Sequence, residues 1–152
     1  MALKEKLQTD LTASMRARDE VRSSTIRMVL TAIKNEEVSG KEARELSDAE
    51  VITVLSREAK KRREAAEAFE QAGAADRAAN EKAEGVIIAE YLPEQLSESQ
   101  IKEMIAAAIA ESGATGPQQM GLVMKLIQPK TAGRADGGIV SSLVKAALTG
   151  GN

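Results

Sequence analysis

Two groups of lysines and arginines are the residues of this sequence whose type and spacing most clearly suggest chemistry. The segment Arg57–Arg63 has five basic residues and one acidic residue, and the segment Pro117–Thr149 has four basic residues and one acidic residue. A protein that holds a nucleic-acid backbone needs cations gathered on one surface, and a local patch serves even when the net charge is −2. The alternative is a solvated helix flank in which Glu64 and Glu67 accompany the basic residues.

Helical geometry divides the first basic segment between two faces. At about 100° per residue, Arg57, Lys60 and Lys61 share one face, whereas Arg62 points nearly opposite Lys60. Arg62 falls among the apolar positions of the same segment. We therefore expect its fork of N–H donors to make a packing or interdomain contact.

Two further charged pairs have spacings that align them on a helix. Arg27 and Lys34 lie seven residues apart, and we interpret them as ordinary exposed charges. Glu81 and Glu84 lie three apart and could bind a hard cation, but without further oxygen ligands we interpret them as a surface pair. The chain has no cysteine and no histidine, which excludes disulfides, thiolate or imidazole metal sites and histidine bases. We predict no catalytic residue, no metal and no cofactor.

The segment Gly133–Gly138 is a glycine-bearing loop in front of a predicted helix. Such loops can hold phosphate with backbone N–H groups, but this one lacks the spacing and the terminal Lys-Ser/Thr of a P-loop. Asp136 is placed to cap the next helix and would put negative charge where an anion should bind. We therefore predict a structural turn from which Arg134 alone reaches outward.

Composition favours an all-α protein. The 152 residues suit one domain or two small ones, and 43% of them are hydrophobic but only 1% aromatic. A core of Ala, Leu, Ile, Val and Met suits interlocking helices. No run of about 18 apolar residues could span a bilayer, and the N-terminus lacks the apolar region of a signal peptide. We expect a soluble, cytoplasmic protein.

Residues 1–92 are predicted to form an N-terminal helical domain. Apolar residues recur at helical spacing, Ser47 and Glu50 form a capping-box pattern, and Gly73 marks a helix end. The four predicted helices cover about residues 3–15, 19–38, 47–73 and 76–91. Pro93 forces Leu92 out of helical dihedral angles, so we place the domain boundary there.

Residues 97–149 are predicted to form a small three-helix module. Apolar residues stand at i, i+3, i+4 and i+7 in three segments, which are Ile101–Ala108, Met120–Ile127 and Val140–Ala147. Ser97 with Gln100 is a capping-box pattern for the first helix, and Pro129 is expected to end the second.

Gly121 is the least expected residue of that module, because glycine inside a helix costs about 0.5–1 kcal/mol relative to alanine. Its presence suggests that another backbone or a ligand comes close. We predict close helix packing at Gly121, with Met120 and Met124 as adaptable packing residues.

The sequence resembles the GatB/YqeY family on motifs that cover nearly its whole length. The motifs are Ser24-Thr25-Ile26-Arg27-Met28, Ala32-Ile33-Lys34-Asn35, Lys60-Lys61-Arg62, Phe69, Ala72-Gly73, Tyr91-Leu92-Pro93, Met120-Gly121-Leu122-Val123-Met124-Lys125, Pro129-Lys130 and Gly133-Arg134-Ala135-Asp136-Gly137. In this family, GatB is the tRNA-binding subunit of a tRNA-dependent amidotransferase, and its C-terminal tail is similar to free-standing YqeY-like proteins. This chain resembles the free-standing kind. It departs from the family pattern at Ala74 and Arg77.

The resemblance implies a non-catalytic accessory module of translation that docks on folded tRNA. On this hypothesis the candidate RNA-binding residues are Arg57, Lys60, Lys61, Arg63, Lys125, Lys130, Arg134 and Lys145. Phe69 and Tyr91, the two aromatic residues, are placed to pack, so contacts should be to phosphates, 2′-hydroxyl groups and overall shape.

The resemblance also implies a family label, carbon–nitrogen ligase with glutamine as amido-nitrogen donor. We interpret it as a family label and not as an activity of this chain, because the amidotransferase chemistry of the family resides in protein regions that this chain does not resemble. The alternative function is a protein-interaction adaptor, which would dock on a tRNA synthetase or an amidotransferase through an apolar helical groove.

Overall fold

The computed structural model describes residues 2–150, and within them the chain is all-α, as predicted. The seven helices are α1 (Leu3–Arg16), α2 (Glu20–Glu37), α3 (Asp48–Gln71), α4 (Ala75–Ala89), α5 (Glu98–Ser112), α6 (Met120–Thr131) and α7 (Gly137–Leu148). A 3₁₀ turn, Pro117–Gln119, precedes α6. The chain divides into two compact units, Met1–Leu92 and Pro93–Asn152.

Local side-chain chemistry starts most of the helices that position the charged residues. Ser47 and Glu50 form the predicted capping box at α3, and Ser97 and Gln100 form the one at α5. The Asp136 side chain accepts hydrogen bonds from the Gly138 and Ile139 N–H groups, so it caps α7 as expected. Each cap satisfies backbone donors that the first helical turn leaves without a partner.

The first unit is held together by an aliphatic core to which α1, α2, α3 and α4 all contribute. Its buried members are Leu7, Ile26, Val29, Ile33, Leu46, Val51, Val54, Leu55, Ile88 and Tyr91. None of them belongs to the stretch of α3 beyond residue 59 or to α4 before residue 87. The outer parts of these two helices therefore depend on contacts between the two helices themselves.

Glu37 fixes the connection between α2 and α3. Its side chain is only 4% exposed, and its carboxylate accepts hydrogen bonds from Lys4 at 2.8 and 2.9 Å and from the Leu46 N–H at 3.2 Å. The hydrogen bonds from Lys4 outweigh desolvation and lower the pKa of Glu37 below its usual value. One buried carboxylate thus ties the segment before α3 to α1.

A second polar cluster fixes the end of α4 against α1 and α2. Arg22 donates to both carboxylate oxygens of Glu90, at 2.6 and 3.1 Å, and the Tyr91 hydroxyl donates to Asp10. The hydrogen bonds from Tyr91 and then Lys6 lower the pKa of Asp10. Burial, followed by the bond to Asp10, raises the pKa of the Tyr91 phenol.

The second unit packs α5, α6 and α7 around a core of its own. The buried members are Ile101, Ile105, Ala108, Ala114, Val123, Ile127, Val140, Val144 and Leu148. Met120 and Met124 are partly buried and pack against this core. Gly113, with φ +70°, ends α5 in the left-handed conformation that glycine adopts without steric cost.

Two expectations for α6 are wrong. Pro129 does not end the helix, which continues to Thr131. Proline is tolerated there because it is exposed and near the end of the helix, where the carbonyl left without a donor can face water. Gly121 is not a point of close packing, since a Cβ atom added to it would meet no neighbour within 4 Å.

Candidate nucleic-acid interface

A groove between α2 and α3 brings two of the predicted residues, Arg57 and Lys61, together. Its volume is about 450 Å³. Its lining residues are Met28, Thr31, Ala32, Asn35, Glu36, Ser39, Val54, Arg57, Glu58 and Lys61. Met28 and Ala32 are partly buried against the core of the first unit, so they give the groove an apolar part. We call this feature the α2–α3 groove.

Arg57 and Lys61 are the two cations that line the α2–α3 groove. Arg57 lies 3.4 Å from a carboxylate oxygen of Glu36, and Lys61 lies 3.2 Å from one of Glu58. Both cations are more than half exposed, but only the Arg57–Glu36 pair is exposed on both sides, and such pairs contribute about 0–1 kcal/mol. Arg57 can therefore exchange its partner for another anion at small cost, whereas Lys61 would leave a buried carboxylate behind. Glu58 itself is buried, with 6% of its surface exposed.

Lys60 and Arg63 are exposed on α3 and do not line the α2–α3 groove. The helix therefore does not gather all four predicted cations of its basic segment into one cavity. Arg57 and Lys61 lie four residues apart, which places them on adjacent turns of one face, and Lys60 and Arg63 stand to the side. Both remain candidate contacts for an RNA larger than the groove.

Arg62 lies inside the first unit, between α3 and α4. It is 19% exposed, and its Nη1 atom lies 3.4 Å from Glu81 Oε2 and 3.2 Å from Glu84 Oε2. The predicted packing role thus has a specific form, an ion-pair cluster across the α3–α4 hairpin. Glu81 and Glu84 are not a simple surface pair, because the partly buried guanidinium group of Arg62 forms ion pairs with both of them. No group of three or more acidic residues in the described part of the chain could hold a metal ion.

The predicted cations of the second unit are placed in two ways. Lys125, Lys130 and Lys145 are exposed. Arg134 is partly buried, and its guanidinium group donates to the backbone carbonyls of Glu94 at 3.2 Å and Lys130 at 3.3 Å. The expectation that Arg134 reaches outward is wrong, because the end of α6 offers carbonyl groups without helical partners.

A second cavity, of about 540 Å³, lies at the turn from α1 to α2 and was not predicted. It is lined by Met15, Arg18, Glu20, Ser23, Ser24 and Arg27. Sequence reasoning treated Arg27 as an ordinary exposed charge and did not single out Arg18. No sequence pattern indicated a role for Arg18, because its backbone conformation is set by how α1 ends.

These features define a small all-helical protein whose distinctive surface chemistry is exposed arginine and lysine beside shallow cavities. No helix among residues 2–150 has the length and apolar character needed to cross a membrane. The family described as "Yqey-like protein" matches residues 4–148, and the chain therefore belongs to the YqeY family, whose domain is of the GatB/YqeY type.

A relative from Clavispora lusitaniae (strain ATCC 42720) supports this assignment. It is named "Altered inheritance of mitochondria protein 41, mitochondrial" and is 32% identical to this chain over 148 residues. The similarity covers 95% of this chain and 84% of the relative. The family is thus shown over almost the whole sequence.

Proposed function

We propose that the protein is a non-catalytic accessory factor that binds folded tRNA through its phosphate backbone. The observation that carries the proposal is the α2–α3 groove, where Arg57 and Lys61 stand beside the Thr31 hydroxyl and the Asn35 amide. Lysine and arginine form ion pairs with phosphates, while hydroxyl and amide groups form hydrogen bonds with phosphates and 2′-hydroxyl groups. Lys60, Arg63, Lys125, Lys130 and Lys145 would add contacts outside the groove.

Base stacking would contribute little to such binding. Tyr91 is buried in the core of the first unit, and Phe69 is partly buried with the Arg77 guanidinium 5.8 Å from its ring centre. These are the only two aromatic residues of the chain. Recognition would therefore depend on charge and shape, which suits a folded RNA better than an unstructured single strand.

The experiment is tRNA binding measured across a salt series, with a DNA duplex of similar length for comparison. Each phosphate contact contributes roughly 0.9 to the slope of log K against log salt concentration. The double variant Arg57→Gln/Lys61→Gln should lower that slope by about 2, since it removes two contacts. Lys61→Arg keeps the charge and should keep the slope.

A matched control is the double variant Lys41→Gln/Lys102→Gln, which changes the net charge equally at two exposed positions outside the groove. Its slope should stay that of the wild type. Absence of tRNA binding by the wild type at low salt would refute the proposed function. An equal loss of slope in both double variants would show that net charge, rather than the groove, determines binding.

A protein-interaction adaptor is the second candidate, and two exposed aliphatic residues favour it. Leu122 on α6 and Ile139 on α7 are each 51% exposed, whereas Met120 and Met124 pack on the core. A partner such as a tRNA synthetase or an amidotransferase would therefore contact Leu122 and Ile139 rather than a methionine groove. Leu122→Asp should abolish capture of such a partner by the purified protein and leave tRNA binding unchanged. The Arg57→Gln/Lys61→Gln variant should weaken tRNA binding and leave capture of the partner unchanged.

The proposed factor acts in the cytoplasm and has no ligase activity of its own. The ligase label would require chemistry that the described side chains do not assemble, and the Glu81 and Glu84 carboxylates are both engaged in ion pairs with Arg62. Cell fractionation tests the location, and the mitochondrial name of the Clavispora lusitaniae relative makes the organelle fraction the relevant comparison.

A further inference from the structure

The turn from α1 to α2 contains the one non-glycine residue with positive φ among residues 2–150, Arg18 at φ +58°. The Asp19 N–H donates to the Ser14 carbonyl at 2.9 Å, and the Arg18 N–H donates to the Met15 carbonyl at 3.1 Å. This pair of hydrogen bonds is the Schellman motif, in which the residue after the C-cap takes the left-handed conformation. Arg18 occupies that position.

Glycine is the residue that this position favours, because a Cβ atom in the left-handed conformation crowds the following carbonyl group. The chain uses glycine at other left-handed positions, among them Gly73, Gly113 and Gly133. Arg18 therefore destabilises the fold relative to glycine. Strained residues that persist in a structure are often found where their side chains have a function.

Arg18 lines the cavity of about 540 Å³ described above, together with Arg27 from the third turn of α2. Neither arginine has a carboxylate within ion-pair distance in the described part of the chain. Glu20 lines the same cavity, so its three charged residues sum to +1. Met15, which is 50% exposed, and Ser24 complete a wall that is part apolar and part polar.

We propose that this cavity, the Arg18 pocket, is a binding site for a phosphate monoester, held between the guanidinium groups of Arg18 and Arg27. The cavity's net charge of +1 favours an anion, and each guanidinium group can donate two parallel N–H hydrogen bonds to the oxygens of a monoester. The Ser24 hydroxyl, which donates to the Val21 carbonyl at 3.2 Å, can turn to the same anion. The phosphate comes either from a free ion or small molecule or from the terminus of an RNA. The Arg18 pocket shares no lining residue with the α2–α3 groove, so the inference stands apart from the proposed function.

The test uses two probes on the full-length protein, inorganic phosphate and a short RNA with a 5′-phosphate, compared with its 5′-hydroxyl twin. Binding is followed by NMR at the backbone amides of Ser23, Ser24 and Arg27. The variant Arg18→Gly should weaken phosphate binding at least tenfold and, at the same time, raise the urea midpoint of unfolding. Arg27→Gln should weaken binding to a similar degree. Arg16→Gln, at an exposed arginine of α1 that does not line the pocket, should bind like the wild type.

Each outcome decides the proposal. Saturable shifts with inorganic phosphate identify a free phosphate or a small phosphate ester as ligand, whereas shifts only with the 5′-phosphorylated RNA identify an RNA end. Equal affinity of the wild type for the two RNAs, with no response to inorganic phosphate, would overturn the proposal. So would undiminished binding by Arg18→Gly and Arg27→Gln. A lower urea midpoint in Arg18→Gly would overturn the claim that Arg18 is kept at a cost to stability.

Discussion

Replacement of Arg62 by methionine should destabilise the first unit by about 2 kcal/mol. Loss of one partner of a fully buried ion pair costs about 3–5 kcal/mol, and loss of an exposed pair costs about 0–1 kcal/mol. The Arg62 cluster lies between these limits, since Arg62, Glu81 and Glu84 are 19–25% exposed and not fully buried. Arg62→Met removes two ion pairs and leaves the Glu81 and Glu84 carboxylates close together on α4 without their cation.

The same geometry predicts that the cluster can be replaced without loss. The Arg62 Nε atom and the Glu81 Oε2 atom are buried and have no hydrogen-bond partner, so the cluster already carries a desolvation cost. The triple variant Arg62→Met/Glu81→Gln/Glu84→Met should therefore recover most of the stability that Arg62→Met loses. Urea unfolding followed by circular dichroism measures both changes. A cost below about 0.5 kcal/mol for Arg62→Met, or a triple variant no more stable than the single one, would refute this account of the cluster.

Two further predictions concern the glycines and two carboxylates with lowered pKa values. Gly121→Ala should stabilise the second unit by about 0.5 kcal/mol, because the added Cβ atom meets open space, whereas Gly113→Ala should destabilise it because φ is +70° there. Thermal unfolding of both variants checks these opposite signs. A destabilising Gly121→Ala would mean that the position is enclosed. Asp10 and Glu37 have pKa values below their usual 3.8 and 4.5, so the stability they contribute is present above those usual values and lost as pH falls through the lowered ones. The urea midpoint should therefore decrease as pH falls below about 4.5, and Glu37→Gln should flatten that dependence while exposed Glu45→Gln leaves it unchanged.

The features that were predictable from the sequence are those determined within a few residues. The all-α class follows from helical periodicity and a nearly aromatic-free composition, and the caps at Ser47, Ser97 and Asp136 depend on side chains that bond two or three residues away. Pro129 is the instructive failure among local signals. A rule about helix interiors was applied to a position near a helix end, where the missing N–H costs little.

The features that were not predictable depend on residues far apart in the chain. Glu37 bonds to Lys4 at a separation of 33 residues, and Arg134 bonds to the Glu94 carbonyl at a separation of 40. Arg62 was placed on an inward face, but its two partners on α4 depend on how the hairpin closes. The candidate site divides in the same way: Arg57 and Lys61 were identified from the sequence, and the α2–α3 groove that they line was not.

The position of Tyr91 has a spectroscopic consequence. The chain has no tryptophan and a single tyrosine, and that tyrosine is buried in the core of the first unit with its hydroxyl group bonded to Asp10. Ultraviolet fluorescence excited at the phenol therefore originates in the first unit alone, whereas far-ultraviolet circular dichroism sums the helices of both units. Followed together during unfolding, the two signals separate the melting of one unit from that of the other without any label or engineered probe.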